Sequence, residues 1–224
     1  MGKTSLLKQV KWLLQNPGEL KAYPLNAAQI EVLAGICPVS FNLQHLAHSK
    51  GIAAYGQFFR DLLAGVRKAL PGALPSDWAP EASDPALAFR QALGELLDRS
   101  GRRLLIMLDE WDETARPELD ILNRNLRALM IDEQRVNWMV CSTFIRRDED
   151  RRSSSPLHAM CQIQEIGELD WATARTVILD PAAQSRLHWH GDAVIAAVEQ
   201  TGQWPLLLQV LGAGVVEELN QRQS

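Results

Sequence analysis

Apolar residues along this chain alternate between two kinds of spacing. In residues 4–15, Leu6, Leu7, Val10, Leu13 and Leu14 recur three and four apart, which predicts a helix stopped by Asn16, Pro17 and Gly18. Similar spacing predicts helices over 52–66 (Ile52, Tyr55, Phe58, Phe59, Leu62, Leu63, Val66), over 86–99 (Phe89, Leu93, Leu96, Leu97) and around Leu119, Leu122, Leu126 and Leu129. A shorter helix is expected at 26–35, capped by Asn26. Between these segments the apolar runs are short and continuous. Residues 104–108 and 136–141 read as strands buried on both faces, the kind found inside parallel sheets. Residues 38–43 alternate and carry Pro38, which places them near a sheet edge, and 161–169 read as a weaker strand. Beyond 169 only helices are expected: one capped by Asp170, one capped by Asp192, and one with Pro205 in its first turn. The four prolines between 70 and 85 predict a loop. Strands alternating with helices imply an α/β fold with a three-layer parallel sheet, followed by a helical lid.

The run 104–108 ends in Asp109 and Glu110. Carboxylates at the end of a buried parallel strand stand at the rim where open α/β sheets hold ligands. Two readings fit the pair: an ordinary acidic turn, or metal-phosphate chemistry in which one carboxylate serves Mg²⁺ and the next orients a water. The N-terminus favours the second. Gly2, Lys3 and Thr4 match the last three positions of the phosphate-loop signature G-x-x-x-x-G-K-[ST], with Ser5 and a helix behind them. In a complete loop of this kind backbone amides cradle phosphates, the Lys reaches the β/γ oxygens and the Thr binds Mg²⁺. The first Gly of the signature and the strand before it are not among these residues.

With Gly2 to Leu7, Leu104 to Glu110 and the later Thr201-Gly202-Gln203-Trp204-Pro205-Leu206-Leu207-Leu208, the chain resembles the ATPase domain of the AAA+/STAND branch of P-loop NTPases, especially the archaeal and bacterial AAA-type ATPases. The last segment is similar to that family's Thr-Gly-Gly-x-Pro-x-Leu-Leu, with Gln203 in place of Gly. The resemblance covers most of the chain. It implies a P-loop NTPase core over 1–168, incomplete at its N-terminus with the first strand missing, and a helical lid over 169–224. It further implies ATP and Mg²⁺ as ligands, ATP hydrolysis, and a lid that moves with nucleotide state. Gly2, Lys3, Thr4 and Ser5 would bind the phosphates, Thr4 and Asp109 the metal, and Glu110 would polarise the attacking water. Ser142 or Thr143, ending the strand beside the acidic one, would sense the γ-phosphate, although a hydroxyl satisfying local backbone fits either as well. Pro205 would pack near the adenine, or serve as a plain helix-start proline. Two other functions fit the same resemblance: a nucleotide-dependent signalling scaffold with negligible turnover, and a DNA-associated ATPase. The expectation from the start of the chain is a fragment. Loss of the strand before the phosphate loop would remove buried side chains contributing roughly 1.5–3 kcal/mol each.

Composition narrows these classes modestly. The 224 residues suffice for one large domain, or an α/β core with a helical appendage, and 46% hydrophobic with 22% charged residues is ordinary for a globular chain. A net charge of −4 offers no general field for nucleic acid, which disfavours that partner without removing a local basic patch. No apolar run approaches the roughly 18 residues that span a bilayer, and no signal peptide is legible, so a cytoplasmic protein is expected. Cys37, Cys141 and Cys161 lack metal-ligand spacing and read as reduced thiols; the pairs His45/His48 and His188/His190 have no third ligand at a recognised spacing. Arg146 to Ser155 reads as a solvated mixed-charge loop, in which an arginine would serve as a phosphate-sensing finger or a nucleic-acid contact only as the lesser reading. A protein partner or effector domain remains an expectation of the switch reading.

Overall fold

The computed structural model describes residues 2–44, 51–75, 78, 81–111, 120–142, 162, 164–184 and 187–223. They divide into two compact units, Thr4–Gln162 and a second made of Met1–Lys3 with Ile163–Ser224.

In the first unit the elements follow the predicted alternation. They are α1 (Lys3–Gln15), α2 (Ala27–Ala34), β1 (Ile36–Asn42), α3 (Gly51–Ala69), α4 (Pro85–Ser100), β2 (Arg103–Asp109), α5 (Asp120–Asp132) and β3 (Val136–Val140). Local chemistry fixes several boundaries. Asn26 and Gln29 form a reciprocal capping box at the start of α2, each side chain accepting the other's backbone N–H. Asp84 accepts the N–H groups of Ala86 and Leu87 ahead of Pro85 at the start of α4. Gly101, at φ +61°, ends that helix in the left-handed conformation that glycine adopts without steric cost.

Among the described residues the sheet has three parallel strands in the order β1-β2-β3, pairing Asn42 with Asp109 and Leu108 with Val140. The fold is therefore α/β with a parallel sheet. Pro38 lies on β1, which has one strand neighbour here, as an edge position allows. The two-residue period of β2 sorts its side chains onto two faces. Leu104, Ile106 and Leu108 enter the main core with Val39 of β1, Phe58, Phe59 and Leu62 of α3, Leu93 and Leu96 of α4, and Leu122 and Leu126 of α5. Leu105 and Met107 face the other way, toward α1, where Leu7, Met107 and Cys141 form a smaller cluster with Val10 and Met139 against it. The α3 aromatics are core: Phe58 meets Phe41 and Phe59 edge-to-face, with ring centroids 5.6 and 5.1 Å apart.

The second unit holds α6 (Trp171–Gln184), α7 (Gly191–Gln200) and α8 (Pro205–Gln223), packed around Ala174, Ile178, Val194, Ala197, Val198 and Leu208. Asp170 caps α6 as expected, accepting the Thr173 N–H at 2.9 Å. Two expectations are corrected. Residues 162 and 164–170 carry no strand. Their apolar content is sparse, Ile166 is 39% exposed, and the Leu169 N–H bonds the Gln203 carbonyl instead of a ladder partner. Asp192 does not cap α7: the helix starts at Gly191 with His190 at the cap position, which puts Asp192 inside the first turn, where its charge favours the helix dipole. No described helix is long and apolar enough to cross a membrane.

Candidate functional site

Helix α1 runs antiparallel over β2. Thr4 meets Asp109, Leu7 clusters with Met107, and Val10 and Leu105 both pack against that cluster. Each helical turn advances about 5.4 Å while two strand residues cover about 6.6 Å, so successive turns land on successive same-face side chains. This brings the first turn of α1 to the C-terminal end of the sheet. Thr4 Oγ1 donates to Asp109 Oδ2 at 2.6 Å, a contact between residues 105 apart in sequence.

Asp109 is 5% exposed, a burial that a carboxylate tolerates only with its oxygens satisfied. The second oxygen, Oδ1, accepts the Glu110 backbone N–H at 3.0 Å. Glu110 has φ +57°, in a left-handed region that non-glycine residues rarely occupy and that clusters at functional sites. The Trp111 N–H then reaches the Cys141 carbonyl at 2.9 Å, and the Cys141 N–H bonds the Leu108 carbonyl at 2.8 Å. Ser142, half-buried, follows directly in sequence.

The expected residues separate as follows. Thr4, Asp109 and Glu110 meet, and Ser142 continues from the strand bonded to them. Ser5 is exposed in the first turn of α1. Gly2 (φ +106°), Lys3 and Pro205 are half-buried and belong to the second unit, where Pro205 is the first residue of α8. Thr143 lies outside the described residues, as do Asp112, Glu113, His45, His48, Cys161 and the arginine-rich segment 146–155.

Asn42 was not singled out from the sequence, yet register sets it opposite Asp109, with its side-chain oxygen accepting the Gln44 N–H at 2.7 Å. Its signal was a polar residue ending an alternating strand, as Asp109 ends the apolar one. Lys11 was also missed. It donates to Ser40 Oγ at 2.8 Å, tying α1 to β1 on the face that carries Thr4.

The described residues contain no group of three or more His, Cys, Asp or Glu fit to hold a metal. Thr4 Oγ1 and Asp109 are hard oxygen donors at one point, which suits Mg²⁺, since that ion takes one or two protein oxygens and completes its shell with phosphates and water. A separate cavity of about 720 Å³ lies within the second unit between α6 and α8, walled by Val177, Ile178, Pro181, Trp189, Leu208 and Val216. None of Gly2, Lys3, Thr4, Asp109, Glu110 and Ser142 lines it. Comparison of the chain with models of known protein families and with curated proteins finds no match.

Proposed function

We propose that the protein is an ATP-binding domain of the P-loop NTPase type, similar to AAA+/STAND ATPases, that hydrolyses Mg-ATP and couples nucleotide state to movement of its helical unit. The observation that carries this reading is the Thr4–Asp109 hydrogen bond of 2.6 Å, joining the start of α1 to the end of a buried parallel strand. The Gly2-Lys3-Thr4 segment and the acidic strand end, distant in sequence, thus supply two halves of one site.

In this reading the first turn of α1 and Lys3 take the phosphates, the helix through backbone N–H groups and the Lys through a charge-assisted contact. Thr4 and Asp109 hold Mg²⁺, which when bound neutralises charge on the phosphate oxygens. Glu110, beside them and half-buried, orients the attacking water and accepts its proton. Ser142, at the end of the adjacent strand, reads the terminal phosphate, and Thr143 is the alternative for that role. Protein partners act through the moving helical unit.

Titration calorimetry with ATP, in Mg²⁺ and in EDTA, tests the reading. Wild type binds more tightly with Mg²⁺, Thr4→Val loses that gain, and Lys3→Ala weakens binding about ten- to a hundredfold, the scale of a hydrogen bond to a charged group. Equal affinity with and without Mg²⁺ in wild type contradicts the metal assignment, and absence of ATP binding contradicts the function.

A further inference from the structure

The ladder between β2 and β3 skips one residue where the candidate site begins. In a parallel pair, a residue that donates its N–H to the carbonyl of one neighbour accepts at its own carbonyl from the residue two further on. The Cys141 N–H bonds Leu108, so the regular donor back to the Cys141 carbonyl would be Glu110; the donor is Trp111. Glu110 is the extra residue. Its N–H turns aside to Asp109 Oδ1 and its backbone takes φ +57°. β2 ends at Asp109 and Trp111 lies in a 3₁₀ turn, so Glu110 makes a bulge at the strand's end and not within it: a left-handed residue that sets two chain positions opposite one and re-aims the side chains that follow.

The pleat shows what the bulge accomplishes. Leu104, Ile106 and Leu108 point into the main core, and Asp109 points to the α1 side. A regular strand would aim Glu110 into that apolar core and Trp111 away from it. Instead Trp111, 9% exposed, occupies the core alongside Leu108, and Glu110 is left half-buried next to Asp109.

We infer that Trp111 is a positioning residue: its burial selects the bulge, and the bulge delivers the Glu110 carboxylate to the site in place of the core. The catalytic consequence rests on the ATPase reading above; the bulge does not. Two experiments on the full chain separate them.

Deletion of Glu110 restores the regular spacing while keeping Trp111 in the core and its N–H on Cys141. The deletion protein is therefore expected to resist denaturant at least as well as Glu110→Ala, which retains the strained backbone. A deletion protein more than about tenfold less favourable in its folding equilibrium than Glu110→Ala overturns the bulge. For activity, Trp111→Ala is expected to lower kcat about tenfold or more with KM for ATP within about twofold, and Trp111→Phe to recover most of the loss, since small misplacement of a reacting group can cost up to about a hundredfold. If Trp111→Ala does not fold, Trp111→Leu replaces it with the same expectation. Unchanged kcat, or an equal loss in Trp111→Phe, overturns the positioning role. A wild-type chain that neither binds nor hydrolyses Mg-ATP removes the nucleotide reading, and the deletion comparison still decides the bulge.

Discussion

Gln203 offers a sharp test of the backbone in the helical unit. The turn from α7 to α8 places two consecutive residues in the left-handed region, Gly202 at φ +56° and Gln203 at φ +62°. Its backbone bonds run from Gly202 N–H to Glu199, Gln203 N–H to Val198, Trp204 N–H to Thr201, and Leu169 N–H to the Gln203 carbonyl, and the Thr201 hydroxyl donates to the Ala197 and Val198 carbonyls. Substituting Gln203→Gly keeps every one of them. The left-handed conformation costs a residue with a Cβ roughly 1–2 kcal/mol. Glycine gives back about 0.5–1 kcal/mol through the larger chain entropy lost on folding. The net expectation is a gain of about 0.5–1 kcal/mol, or roughly 4 °C in melting temperature for a unit of this size. Thermal melts followed by circular dichroism would measure it, with Gln203→Ala as the control. Alanine retains the strain and should stay within about 0.5 kcal/mol of wild type. If Gln203→Gly melts below Gln203→Ala, the turn is not governed by the backbone strain described here. The mirror change, Gly202→Ala, should cost about 1 kcal/mol although its Cβ would meet Trp204 at an ordinary 3.6 Å, because the penalty is conformational and not steric crowding.

Other predictions follow from packing and titration. Ile106, fully buried in the main core, should cost about 2–5 kcal/mol when cut to Ala, against less than about 0.5 kcal/mol for Val32→Ala at a half-exposed helix position; urea midpoints would compare them. Burial and the Asp84 carboxylate, 3.2 Å away, push the Tyr55 phenol up to about 12. The folded state then holds this proton more tightly than the unfolded one, so Tyr55 contributes stability below about pH 10 that is lost as pH rises toward 12. The Tyr55→Phe protein should lack that part of the alkaline decline, and denaturation midpoints at pH 9 and 11 in the two proteins would show it. At the other end of the sheet, hydrogen bonds from Arg135 hold the Glu133 carboxyl below its ordinary value, so its contribution is present above that value and fades as pH falls through the depressed one. An acid titration of stability should therefore differ between wild type and Glu133→Gln.

Much of the fold was legible because periodicity is a local signal. Helices α1, α3 and α4 and strands β2 and β3 each show an unbroken spacing of apolar side chains, and Asn26, Asp84 and Gly101 mark helix ends through chemistry confined to a few residues. The segment 161–169 misled because two or three apolar residues imitate a strand when pairing partners are out of view; its Leu169 amide is claimed by the turn at Gln203. Asp192 misled because acids favour both the cap and the first turn. In the site, Thr4, Asp109 and Glu110 were visible as motif pieces, but their meeting depends on α1 lying antiparallel over β2. The skipped ladder rung at Glu110 was not legible at all. Nothing in Leu108-Asp109-Glu110-Trp111 declares an extra residue until the partner strand's hydrogen bonds are seen.

The most direct test of the central claim is a single-turnover measurement of ATP hydrolysis by wild type and Glu110→Gln, with Mg-ATP affinity determined on the same preparations. The account predicts that wild type hydrolyses ATP, and that Glu110→Gln binds with similar affinity while hydrolysing at least about a hundredfold more slowly, the loss expected when a general base is removed. Hydrolysis by Glu110→Gln at the wild-type rate would contradict the assignment of Glu110, and a wild-type chain that binds Mg-ATP without any turnover would contradict the ATPase claim itself.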